Sequence, residues 1–157
     1  MRIGHGYDVH ALGSGDHIMM GGVEIEFSKG VIAHSDGDVL IHAMCDALLG
    51  GLAKGDIGRH FPDSDSRWRD ADSRKFLRTV VTMVCNMGME IAHADATIVA
   101  QEPRMAPHIP AMREMMSADM QIELSQLNIK ATTTEGLGFV GRGEGLEAHA
   151  VVVLRER

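Results

Sequence analysis

Residues able to hold a metal stand at two places in the first third of the chain. Asp8-Val9-His10 lies in a stretch of extended character, and His34-Ser35-Asp36-Gly37-Asp38-Val39-Leu40-Ile41-His42 leads into a helix. On a strand, residues two apart point to the same side, so Asp8 and His10 present a carboxylate and an imidazole together. With His42 brought to that pair, two nitrogens and one oxygen leave a fourth position open. That composition belongs to a catalytic zinc site, because structural sites close the shell with four protein ligands. An Asp-x-His pair alone is also met as a plain hydrogen-bonded pair. What tips the balance is Asp38, four residues before His42 on the expected helix, where side chains are neighbours. Ligating histidines donate their second N–H to such a carboxylate, which makes Asp38 the expected support for His42.

The elements that must position these residues follow from the hydrophobic pattern. A first strand runs through His10, a turn follows at residues 13–16, and Ile18 to Phe27 form a hairpin around Gly21-Gly22. Asp36 is the expected N-cap of the first helix, whose core stripe is Val39, Leu40, Ala43, Met44, Ala47 and Leu48. Gly50-Gly51 ends it. The loop from Gly55 to Asp65 is too rich in glycine and polar residues for regular structure, and long enough to suggest function. A second helix, Ser73–Asn86, buries Phe76, Leu77, Val80, Val81 and Val84; a strand, Glu90–Ala100, comes next. Pro103, Pro107 and Pro110 lead into a third helix, where Met112, Met115, Met116 and Met120 fill the core.

The last third holds strands Asn128–Thr134 and Leu146–Arg155 with a glycine-rich segment between them. There Gly136-Leu-Gly138-Phe-Val-Gly141 matches the dinucleotide fingerprint letter for letter. That reading is rejected, because the motif needs a helix right after it inside a strand–helix–strand unit, and a strand follows instead. The segment can still offer backbone N–H groups and Arg142 to an anion.

Composition narrows the class. The 157 residues suit one domain spanning residues 1–157, and 45% apolar with 24% charged residues is ordinary for a globular protein. A net charge of −7 argues against a long nucleic acid as partner. Cys45 and Cys85 fall on apolar helix faces and suit free, buried thiols in a reducing cytoplasm better than a disulfide. The chain opens directly on a strand and has no apolar run of membrane-spanning length, so a cytoplasmic protein without membrane contact is expected. The strands Ala96–Ala100 and Ala148–Leu154 are apolar on both side-chain parities, as in sheets covered on two sides. Three helices cover only one side. The expected fold is an α/β, more narrowly α+β, sandwich: a mixed β-sheet with helices on one face and the other face hidden by self-association.

Six blocks, in one order, resemble the 2-C-methyl-D-erythritol 2,4-cyclodiphosphate synthase family across the whole chain. They are Gly4-His5-Gly6-Tyr7-Asp8-Val9-His10, Ala33-His34-Ser35-Asp36-Gly37-Asp38, Gly55-Asp56-Ile57-Gly58, Pro107-His108-Ile109, Lys130-Ala131-Thr132-Thr133-Thr134-Glu135 and Gly141-Arg142-Gly143-Glu144-Gly145. The resemblance implies a lyase of the non-mevalonate isoprenoid pathway that converts 4-diphosphocytidyl-2-C-methyl-D-erythritol 2-phosphate to the cyclic diphosphate and CMP. It implies a homotrimer with sites between subunits and an isoprenoid diphosphate as ligand of a central channel. Zinc ligands fall on Asp8, His10 and His42, and a magnesium or manganese ion bridging the diphosphate falls at Glu135. His34 and Thr133 take the catalytic positions. Substrate contacts fall on Ser35, Asp56, Ile57, Gly58, Phe61, Pro62, Asp63, Ser64, Asp65, Phe139 and Arg142. Nucleotide contacts, from the neighbouring subunit, fall on Ala100, Gln101, Glu102, Pro103, Arg104, Met105 and Ala106, with Ala131, Thr132 and Thr133. At Arg104 the family more often has lysine, so a fork replaces a point donor there.

Two other classes share parts of this pattern. A two-histidine, one-carboxylate set also describes non-haem iron oxygenases. A non-catalytic cytidine-nucleotide binder is the other, although it has no use for three metal ligands.

Overall fold

A computed structural model describes Met1–Arg157. Five strands form the main sheet in the order β4-β1-β7-β5-β6. They are β1 (Arg2–Gly13), β4 (Gly30–Ile32), β5 (Met89–Val99), β6 (Leu127–Thr132) and β7 (Gly145–Glu156). All neighbours run antiparallel except β5 and β6, so the sheet is mixed, as expected. The hairpin β2 (His17–Met20) and β3 (Val23–Glu26) stands apart as a two-stranded ribbon. Three helices, α1 (Val39–Gly51), α3 (Ser73–Asn86) and α4 (Ile109–Met120), pack on one face of the sheet. α3 spans the expected residues and buries the expected face.

Strand alternation decides what each face shows. In β7, Leu146, Ala148, Ala150, Val152 and Leu154 are buried, while Val151 between them is 41% exposed. In β1 the helix-facing positions are Gly4 and Gly6, and a Cβ on either would lie within 2 Å of the Ala47 or Ala43 carbonyl oxygen. The two glycines therefore let the α1 backbone lie directly on β1. Two strand residues and one helical turn cover nearly the same distance, about 6 Å. The next positions on that side of β1 are Asp8 and His10, which brings them to the N-terminal turns of α1.

The opposite face of β1 and β7 carries Ile3, Tyr7, Val9 and Val151, all substantially exposed, with Ile3 at 69%. His5, Glu147 and His149 share that face, and Tyr7 Oη donates to Glu147 Oε2 at 2.8 Å, so the exposed surface mixes apolar and polar groups.

Local departures from the sequence reading have local causes. α1 starts two residues later than expected, with Asp38 rather than Asp36 as N-cap, because the Asp38 carboxylate accepts from the Ile41 N–H. β1 runs on to Gly13 and pairs with a short β4 that the pattern did not show. The loop Gly55–Asp65 does contain regular structure: α2 (Ile57–His60) is capped by Asp56, whose carboxylate accepts from the Arg59 N–H. A 3₁₀ turn at Ser66–Trp68 follows, capped by Asp65. A single turn, α5 (Gly138–Gly141), lies in the glycine-rich segment, and β7 comes after it rather than a helix. Both cysteines are free, but Cys85 is only half-buried. No helix is long and apolar enough to cross a membrane.

Candidate metal centre and adjoining cavities

Asp8 and His10 reach from β1 to meet His42 on the second turn of α1. Asp8 Oδ2 lies 2.9 Å from His10 Nε2 and 3.0 Å from His42 Nδ1. The two imidazole nitrogens are 3.1 Å apart. In a tetrahedral site with ligand bonds of about 2.0–2.1 Å, ligand atoms sit about 3.3 Å from one another. The triangle is tighter than that by a few tenths of an ångström. Two nitrogens and one carboxylate oxygen converging on one point fit a divalent cation.

The electrostatics agree. Burial pushes the Asp8 carboxyl up, but hydrogen bonds from His10 and His42, and their charges, outweigh it and hold it at about 2. Burial also disfavours a charged His42, yet the bond and charge of Asp8, with the charges of Asp38 and Asp36, raise it above its ordinary value. Where cations are favoured at a pair of imidazoles, a metal ion can replace the proton.

Asp38 is not the support behind His42. Its fully buried carboxylate accepts from three backbone N–H groups, Gly21 at 2.9 Å, Gly22 at 2.7 Å and Ile41 at 3.0 Å. An N-cap side chain turns back over the helix end rather than along its face, so the four-residue spacing does not apply. What stands behind His42 is Ser73, with its Oγ 2.8 Å from His42 Nε2. The hydroxyl of Ser73 donates in turn to Asp36.

A cavity of about 420 Å³ opens beside the triad, lined among others by His34, Ser35, Ile57, Gly58, Phe61, Pro62 and Asp63. Its aromatic wall is a packed trio: Phe61 stacks on Phe76 at 4.6 Å, and Trp68 meets Phe61 edge-on at 5.2 Å. Two polar atoms in this region, His34 Nε2 and Trp68 Nε1, are buried without a hydrogen-bond partner. Such atoms cost about 1–3 kcal/mol each and mark where a ligand group would be welcome.

A second cavity, about 760 Å³, gathers Ala100 to Ala106 with Ala131, Thr132 and Thr133. The two cavities share no lining residue. The remaining expected site residues lie elsewhere. The carboxylates of Asp56 and Asp65 are committed to caps, and Asp65 also pairs with Arg67. Ser64 is exposed outside both cavities. Glu135 is exposed, with its N–H donating to Thr133 Oγ1 at 3.2 Å. Arg142 pairs with Glu144 at 2.9 Å, and Phe139 is 38% exposed.

A family model described as the YgbB family matches residues 1–155. The chain belongs to the YgbB family. A relative from Stutzerimonas stutzeri, named 2-C-methyl-D-erythritol 2,4-cyclodiphosphate synthase, is 60% identical over 154 residues, 98% of each chain. The structure described as "IspF (Plasmodium falciparum) CDP complex" is similar with a TM-score of 0.88 and 31% identity, over 99% of this chain and 96% of that one. The bifunctional IspDF from Campylobacter jejuni is similar with a TM-score of 0.95 and 37% identity over 99% of this chain, which spans 42% of that longer one. The family is the one that the six sequence blocks indicated.

For this YgbB-family protein the sequence reading missed the positions that tertiary packing adds. Trp68 and Phe76 line the first cavity, Phe27 and Ser28 the second, and Ser73 with Asp36 lies behind His42. Trp68 is the chain's single tryptophan, a signal that could have been weighed. Ser73 showed only as the start of a helix.

Proposed function

We propose that this protein cyclises 4-diphosphocytidyl-2-C-methyl-D-erythritol 2-phosphate to 2-C-methyl-D-erythritol 2,4-cyclodiphosphate and CMP, in the non-mevalonate isoprenoid pathway of the cytoplasm. One observation carries the reading. In a chain 60% identical to a protein of that name, the Asp8–His10–His42 cluster adjoins a cavity where His34 Nε2 is buried without a partner.

In this reaction an oxygen of the 2-phosphate attacks the β-phosphorus. The new P–O bond closes the ring, the bond to the bridging oxygen breaks, and its electron pair leaves with CMP. No protein nucleophile is required, so the chain's task is to fold the substrate back on itself. Orientation of this kind is worth about 7–11 kcal/mol of barrier in favourable cases. A zinc ion held by Asp8, His10 and His42, and a magnesium or manganese ion held by Glu135 and phosphate oxygens, would supply Lewis-acid neutralisation of the diphosphate. His34 Nε2 donates to the 2-phosphate, and the Ser35 hydroxyl beside it does the same. Ile57, Gly58 and the Phe61–Trp68–Phe76 wall hold the methylerythritol part and keep water from the β-phosphorus. Thr132 and Thr133 take the nucleotide's phosphates, and the Ala100–Ala106 segment takes the cytidine.

The two cavities have no residue in common, and the outer face of β1 and β7 exposes Ile3, Tyr7, Val9 and Val151. Both features support a homotrimer in which one chain's metal cluster faces its neighbour's nucleotide cavity. Phe139 and Arg142 would then lie by a central channel suited to an isoprenoid diphosphate.

Incubation with substrate in oxygen-18 water separates a cyclase from a metal phosphohydrolase. Because the attacking oxygen is already in the substrate, CMP and the cyclic product should both be unlabelled. Label in CMP, or in a linear phosphate, would mean that water attacks, and the cyclase reading would fall. Zinc analysis should give about one ion per chain in the wild type and none in His42→Ala.

A further inference from the structure

Ser73 is the first residue of α3 and is wholly buried. Its hydroxyl is not needed to cap that helix, because Asp72 does so by accepting from the Arg74 N–H. Instead Ser73 Oγ lies 2.8 Å from His42 Nε2 and donates to Asp36 Oδ1. The Ser73 N–H donates to the other oxygen, Asp36 Oδ2, at 2.9 Å. Asp36 is itself held by its own N–H, which donates to the Ala71 carbonyl at 3.2 Å.

The direction of this chain of bonds follows from counting hydrogens. An ionised carboxylate only accepts, and a hydroxyl has one hydrogen to give. The Ser73 hydrogen is committed to Asp36, so only a lone pair remains toward His42. His42 Nε2 must therefore carry a hydrogen and donate it. In a neutral imidazole that leaves the lone pair on Nδ1, the atom 3.0 Å from Asp8 Oδ2 and 3.1 Å from His10 Nε2.

We propose that Ser73 and Asp36 form a positioning pair that holds His42 in its Nε2–H tautomer and aims Nδ1 at the cation. The proposal rests on reading Asp8, His10 and His42 as metal ligands. It also assigns Ser35 its role. Ser35 Oγ is 3.3 Å from the same nitrogen, a weaker acceptor than Ser73, so its hydroxyl hydrogen is free to face a ligand in the cavity. A ligand locked in one tautomer and one ring orientation does not have to reorganise when the metal arrives, and loss of such partners typically costs 10–100-fold in metal affinity.

The test is competition of metal-free protein against a chromophoric chelator for zinc, with the visible spectrum of the cobalt-substituted protein as a second readout. Ser73→Ala removes the hydroxyl but keeps the N–H that holds Asp36. It should bind zinc about 10–100-fold more weakly and shift the cobalt bands. Ser73→Thr, which keeps a hydroxyl, should restore both. Asp36→Asn is the second variant, since its amide can offer Ser73 a hydrogen and undo the direction; it should weaken zinc binding as well. Zinc affinity and cobalt bands unchanged in both Ser73→Ala and Asp36→Asn, while His42→Ala loses zinc, would overturn the pair alone. Undiminished zinc binding by His42→Ala would overturn the metal reading beneath it.

Discussion

Replacing Asp38 with alanine should cost stability and lower metal affinity by less than tenfold, because Asp38 is no ligand and acts on His42 only through its charge. The carboxylate is inaccessible to solvent and accepts from the N–H groups of Gly21, Gly22 and Ile41 at 2.7–3.0 Å. Alanine leaves all three donors without an acceptor at a site that water does not enter. Each orphaned donor costs about 1–3 kcal/mol. Part of this is offset, because burial and the nearby Asp36 charge already push the Asp38 carboxyl up, and removal relieves that strain. The lower end of the sum, about 3 kcal/mol, is the expected loss. Against a whole-protein stability of about 5–15 kcal/mol that is a large share. With a urea dependence of about 2 kcal/mol per molar, the midpoint should fall by about 1.5 M. The assay is urea unfolding of metal-free wild type and variant at equal protein concentration, followed by zinc competition where both are folded. A variant within about 1 kcal/mol of wild type, or a folded variant binding zinc tenfold more weakly, would refute this account.

Gly6→Ala should prevent folding or cost about 4 kcal/mol or more, because its Cβ would meet the Ala43 carbonyl oxygen at 1.9 Å; a soluble variant with a wild-type melting temperature would contradict the packing of α1 on β1. Burial pushes the Asp119 carboxyl up, but bonds from Arg74 and Arg78 outweigh it and lower it. A carboxyl lowered on folding stabilises above its unfolded value of about 3.9 and loses that contribution as pH falls through the folded value. Asp119→Asn should thus be less stable at pH 7 by about 1–3 kcal/mol, with the gap narrowing in urea titrations below pH 4; a gap independent of pH would count against the ion pair. On the proposed trimer, a mixture of His42→Ala and Thr133→Val chains should recover activity that neither parent has; no recovery would argue against sites shared between chains.

The sequence by itself determined what repeats at short range. Alternation along β1 put Asp8 and His10 on one side, and the helix signal put His42 on α1, because both periods are properties of the backbone alone; that α1 carries His42 to the pair was decided by its packing on β1. The bounds and buried face of α3 followed from its apolar spacing in the same way. Only the tertiary structure decided which partners lie behind those residues. Asp38 sits at the right interval for His42, yet the hairpin 16 residues upstream delivers two N–H groups that claim its carboxylate. Ser73 is 31 residues from His42 and reaches it only because α3 packs against α1. The packing of α1 on β1 was in one sense written in Gly4 and Gly6, but a glycine marks close approach without naming what approaches. Short-range periods are set by bond geometry, whereas the competition among buried donors for a carboxylate is settled only when distant segments are packed together.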